Sequence, residues 1–94
     1  MLPIVWLDDA SNDLLEIVAF IAEENPAAAH RLHARLESAP LPLAEHPYLC
    51  PPGRIPGTRE LVAHPNYLIV YRVTATRVEI VNVVHTRRQY PPDM

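Results

Sequence analysis

The sequence contains no lysine: all eight of its cationic side chains are arginine. Glycine is nearly absent too, with Gly53 and Gly57 the only two. A phosphate-binding loop needs adjacent Gly and Lys, and a dinucleotide fingerprint needs three closely spaced glycines, so both nucleotide motifs are excluded. Schiff-base chemistry on a lysine goes with them. The one cysteine, Cys50, excludes an intrachain disulfide and a multi-cysteine zinc site. No apolar run approaches the roughly 18 residues of a membrane span, and no basic stretch followed by an apolar one opens the chain. The expectation is a cytoplasmic protein without a membrane role.

What is present fits one small globular domain over residues 1–94, with 49% hydrophobic and 20% charged residues. The net charge of −3 is unevenly spread. Residues 1–45 carry two arginines against eight acids, or −6, and residues 46–94 carry six arginines against three acids, or +3. Acids favour helices and their first turns, which accounts for much of the N-terminal excess. The other reading is a cationic face in the second half, directed at a phosphate or carboxylate partner.

Apolar periodicity divides the chain into six elements. Leu2–Leu7 predicts a strand. Asp8 and Asp9 offer N-caps for a helix reaching about Glu24, with Leu14, Ile17, Val18 and Ile21 on its inner face and Glu16, Glu23 and Glu24 in water. Asn25 caps a second helix and Pro26 takes its first position, where a missing N–H costs nothing. Ala28, Ala29, Leu32 and Leu36 form its stripe, and Pro40 and Pro42 end it. Residues 40–57 hold six of the eleven prolines and read as a stiff connection with one helical turn near Leu43–His46. Strands follow at Arg59–His64, Tyr67–Val73 and Arg77–Val84, the last apolar on both faces as a central strand should be. The order β-α-α-β-β-β predicts an α+β fold, with two N-terminal helices packed on a small, mostly antiparallel sheet.

Several stretches in this order carry a family likeness. They are Asp13-Leu14 in the first helix, Phe20 to Ala29 across the helix junction, Leu43-Ala44-Glu45-His46-Pro47, and Gly53-Arg54-Ile55-Pro56-Gly57-Thr58-Arg59-Glu60-Leu61-Val62. Ile69-Val70-Tyr71-Arg72-Val73, Val78-Glu79-Ile80 and Val83-Val84-His85 complete the series. On these residues the chain resembles the RelE/ParE toxins of bacterial type II toxin–antitoxin modules over nearly its whole length. The resemblance implies a cognate antitoxin partner in a toxin–antitoxin hetero-oligomer, and no cofactor. It also implies one of two targets. ParE-like members poison DNA gyrase, whereas RelE-like members cleave mRNA in the ribosome using basic and tyrosine side chains.

Cleavage by a 2′-OH needs a base, an acid for the leaving oxygen, and cations on the phosphate. If the chain is RelE-like, the resemblance makes Arg59, His85 and Arg87 the catalytic candidates, with Arg72 and Tyr90 secondary and Glu60 a possible base. Two departures count against that set: Leu68 stands where RelE-like chains carry an arginine, and the second-strand lysines are missing. The late His85 also matches a Leu-His element of ParE-like chains. The expectation is therefore a ParE-like gyrase inhibitor, with the RelE-like endonuclease as the alternative. Structural roles compete at each candidate position. Arg59 could pair with an acid of the first helix, Arg72 could cap a sheet edge, and Tyr90 could pack the tail. His30 and His33, three apart on the second helix, lack a third ligand for a metal site. Cys50 reads as a buried, inert thiol.

Overall fold

The computed structural model describes residues 1–91, so Asp93, counted in the charge balance, lies outside the described residues. Four strands, β1 (Ile4–Trp6), β2 (Arg59–His64), β3 (Tyr67–Val73) and β4 (Val78–His85), form one sheet in the order β1-β4-β3-β2. Helices α1 (Asp8–Ala22) and α2 (Pro26–Ser38) follow β1, and a 3-10 turn spans Leu41–Ala44. The β2–β3 and β3–β4 pairs are antiparallel, whereas β1 runs parallel to β4, with Ile4 beside Val78. The expected α+β layering is observed. The helical turn in the proline-rich connection begins two residues earlier than expected, because Leu43 N–H bonds Pro40 O and Leu43 is buried there.

The start of α1 differs from expectation. Leu7 is the N-cap and makes no side-chain cap, while Asp8 and Asp9 occupy the first turn. The Leu7 backbone N–H is held by Ile80 O at 3.0 Å, which fixes where β1 ends and puts the aspartates one step into the helix. There their charge meets the positive end of the helix dipole without a specific bond. α2 starts as the sequence implies: the Asn25 side chain accepts the Ala28 N–H at 3.0 Å, with Pro26 at the first helical position.

The principal core lies between the helices and one sheet face. Leu14, Leu32 and Leu36 pack with Leu43, Ile69, Tyr71, Val78 and Ile80, all buried. β4 is flanked by β1 and β3, and its alternate residues Val78, Ile80 and Val83 on one side and Glu79 and Val84 on the other are buried, as a central strand requires. A register shift between Val70 and Tyr71 leaves Val81 as the extra residue of a bulge in β4. Asp13 of α1 reaches this bulge and accepts from Asn82 Nδ2 at 3.0 Å and Val83 N–H at 2.9 Å.

The proline-rich connection has a definite structural task. Pro51 O accepts the Glu60 N–H at 3.3 Å, Gly53 N–H bonds Thr58 O at 2.7 Å, and Arg35 of α2 donates to Ala63 O at 3.1 Å. These contacts occupy the outer side of the edge strand β2, which would otherwise offer unpaired backbone groups to another chain.

Candidate functional site

The sheet divides the sequence-predicted residues between its two faces. Residues directly opposite one another on neighbouring strands share a face. Arg59 is opposite Tyr71, and His85 is opposite Tyr67, so both lie on the helix-covered side. Along β3 their partners are four residues apart, and β2 and β4 are two strand spacings apart. The two positions are therefore separated by roughly 17 Å.

Each makes its own local contacts. Arg59 Nη1 donates to Cys50 O at 2.5 Å and to Tyr48 O at 3.5 Å, and its guanidinium lies 5.0 Å from the Tyr48 ring centroid. It therefore holds the 48–50 loop and pairs with no acid of α1. Tyr71, fully buried beside it, completes this anchor: its hydroxyl donates to Pro47 O at 3.0 Å and accepts the Cys50 N–H at 3.3 Å. Burial and the Cys50 contact push the Tyr71 phenol up to about 12. Cys50 is buried, as its sequence setting suggested.

His85, half-buried at the end of β4, stands edge-on to the Tyr67 ring with centroids 5.2 Å apart. Its Nδ1 accepts the Arg87 N–H at 3.0 Å, which leaves Nε2 as the proton-bearing nitrogen of the neutral ring. The imidazole borders a shallow apolar groove with Ile17, Ile21 and the largely exposed Phe20. Arg87 continues from it as an exposed residue of the tail.

The opposite sheet face holds the remaining candidates. Leu68, Val70 and Val84 are buried there, and the 53–56 loop and the tail meet beside Val84. A cavity of about 270 Å³ between these segments is lined by Asp13, Asn82, Ile55, Arg88 and Tyr90, with Val84 at its floor. Arg54 ties the cover together: its Nη1 donates to Tyr90 O at 3.3 Å, and its Nε lies 3.5 Å from Glu60 Oε1. Glu60 Oε2 also accepts the Arg54 N–H at 2.9 Å. Glu60 is thus committed to Arg54, and Gly53 lets it come close, since a Cβ there would sit 3.0 Å from Glu60 Cγ and 2.7 Å from Thr58 Oγ1. Burial and then the Glu60 charge push the Tyr90 phenol up.

Arg72 lies on this face too, but inside an ion cluster that sequence reasoning did not anticipate. Glu79, only 5% exposed, sits in register between Val5 of β1 and Arg72 of β3. Its Oε1 accepts from Arg72 Nε at 2.5 Å, and its Oε2 accepts from Arg77 Nε at 2.7 Å and is ion-paired with Arg77 Nη2 at 2.5 Å. The two arginines hold the Glu79 carboxyl below the usual carboxylate range. The signal was legible in principle, because a buried acid in a mostly apolar central strand calls for cationic partners. His33 pairs with Glu37 at 3.8 Å, and among the described residues no cluster of metal-ligating side chains exists.

The comparisons agree with this architecture. The model describing the ParE toxin of the type II toxin–antitoxin system parDE matches residues 4–90. The Y4kP protein of Sinorhizobium fredii is 45% identical over 87 residues, covering 92% of this chain and 90% of that protein. Toxin RelE2 of Caulobacter vibrioides is 39% identical over 90 residues, covering 94% and 99%. Among solved structures, a chain of the chromosomal ParDE toxin–antitoxin system from P. aeruginosa superposes with a TM-score of 0.82 at 20% identity, covering 90% of this chain and 96% of that one. The E. coli DinJ-YafQ toxin–antitoxin complex contains a chain that superposes with a TM-score of 0.57 at 16% identity, covering 89% and 91%. The ParE model spans nearly all of the sequence, two relatives pass 35% identity, and the layered sheet has the same form, so this chain belongs to the RelE/ParE family and is a toxin of a type II toxin–antitoxin system.

Proposed function

We infer that this toxin is ParE-like: a cytoplasmic inhibitor that acts by binding DNA gyrase and is neutralised by a cognate antitoxin in a hetero-oligomer. The observation that carries this reading is the dispersal of the nuclease candidates. Arg59 and His85 stand roughly 17 Å apart at opposite corners of the helix-covered face. Arg59 is spent on loop carbonyls and Glu60 on Arg54, and Arg72 lies on the other sheet face from Arg59 and His85. General acid–base cleavage needs its proton donor, acceptor and phosphate-binding cation within hydrogen-bond reach of one phosphodiester. Inhibition by binding requires no such convergence.

The alternative is a RelE-like endonuclease. His85 favours it, with its Nδ1 fixed by the Arg87 N–H and its ring at a groove edge, as does the likeness to the protein named RelE2. In that case His85 and Arg87 are the working pair, and Arg59 supports the loop. Induction in growing cells separates the two. Gyrase-linked DNA breaks with intact transcripts are expected, with toxicity surviving in His85→Ala. Codon-biased transcript cuts that vanish in His85→Ala and Arg87→Ala would overturn the gyrase reading. Mixing with the antitoxin should raise the thermal midpoint, because a partner that binds only the folded state stabilises it.

A further inference from the structure

Arginine and acid are balanced one to one at Arg54–Glu60 but not at Glu79. There, two guanidinium groups share one buried carboxylate, leaving a local charge of +1. Each guanidinium has five N–H donors in a planar fork. Arg72 uses only Nε on Glu79, and Arg77 uses Nε and Nη2, so most of the donors on both groups remain for other acceptors. Both side chains are close to half exposed, at 49% and 44%, whereas the Glu79 side chain that orients them is 7% exposed. A buried anion that fixes two outward-facing guanidinium groups removes much of the entropy cost that a flexible arginine meets when it binds.

We propose that Arg72 and Arg77 form a carboxylate-binding fork for an acidic segment of a partner protein, with Glu79 as its positioning residue. The proposal rests on the reading of this toxin as a protein-binding inhibitor. Two observations favour carboxylates on a protein over a nucleic-acid backbone. The surplus at Glu79 is a single positive charge, which one carboxylate neutralises, whereas a nucleic-acid backbone carries a charge at every phosphate and needs a row of cations to match it. Single-stranded nucleic acid also needs aromatic platforms for its bases, and of the two largely exposed aromatics Phe20 lies in the groove beside His85, away from the Glu79 face, while Tyr48 already has one face covered by Arg59.

The test is a titration of the isolated protein with a short polyglutamate peptide at low salt, followed through the NMR signals of the Arg72 and Arg77 Nε–H groups. A parallel titration uses oligothymidylate of equal charge. Saturable shifts of both signals by the peptide are expected, weakened by added salt. Arg72→Gln should weaken binding about two- to fivefold, as removal of one exposed ion pair does. Arg77→Lys keeps the charge but loses the fork, and should weaken binding about twofold while leaving Glu79 paired. It decides the matter if Arg72→Gln does not fold. Arg31→Gln, on α2, should bind as the parent does. Absence of shifts at these two groups, undiminished binding by Arg77→Lys, or tighter binding of the oligothymidylate would overturn the proposal. Because the titration involves no gyrase, its failure leaves the gyrase reading standing, and failure of that reading leaves a positive titration intact.

Discussion

Replacing Tyr71 with Phe isolates one hydroxyl in a fully buried ring. The ring, packed with Leu36, Leu43 and Ile69, keeps its volume, so no cavity opens. What is lost is the pair of bonds to Pro47 O and Cys50 N–H that hold the proline-rich connection onto the sheet. Leaving buried partners unsatisfied costs about 1–3 kcal/mol. Pro47 is half-buried and can regain water, so roughly 1.5 kcal/mol is expected, or a fall in thermal midpoint of about 6–12 °C for a chain this size. The same hydroxyl predicts an alkaline signature. Its folded-state ionisation is pushed from 10.0 to about 12, so the folded state retains this proton while the unfolded chain gives it up. The stabilisation is therefore complete below pH 10 and is lost as pH rises towards 12. Urea unfolding of both proteins across that range should bring their stability curves together, because only the parent has the group to ionise. Parallel curves, or a neutral-pH fall in midpoint below about 2 °C, would refute the assignment of Tyr71 as the anchor.

Asp13→Ala removes the acceptor for Asn82 Nδ2 and the Val83 N–H at the β4 bulge, and should cost about 1–3 kcal/mol in chemical denaturation. Asn25→Ala deletes the side-chain cap of α2, and should lower stability by about 1 kcal/mol, recovered for the most part by Asn25→Ser. Glu79 is held below the usual carboxylate range when folded, so its contribution is present above the unfolded carboxylate range and lost as pH falls through the folded value. Acid unfolding of Glu79→Gln should accordingly show a shallower pH dependence than the parent, and an unchanged profile would contradict the pairing with Arg72 and Arg77.

The layer order and most element positions were legible in the sequence because they rest on periodicity and punctuation. Asn25-Pro26 stops one helix and begins the next, and the apolar run of β4 announces a strand covered on both sides. Local capping was misread at Asp8 because residue preference is a local statement that does not say where the preceding strand ends. Here the Leu7 N–H belongs to the sheet, a tertiary fact invisible to a window of sequence. The candidate site was harder for the same reason. Arg59, Arg72 and His85 have the residue types that phosphate chemistry uses, but strand register decides which face each one meets. A one-residue bulge at Val81 is enough to set Glu79 against Arg72, and so to turn a candidate catalytic arginine into one member of a three-residue ion cluster.

The pairing of β1 with β4 has a consequence for how the toxin comes into being. Ile4–Trp6 finds its neighbours only at Val78–Ile80, across more than seventy intervening residues. A nascent chain emerging from the ribosome can form α1 and α2, but their inner faces have no central strand to pack on until β4 has been made. Parallel pairing across such a separation is also slow to close. A product of interrupted translation that ends before Val78 would lack the strand on which both β1 and β3 depend, and would be open to proteolysis. The topology thus restricts the folded toxin to ribosomes that have translated past β4, at His85.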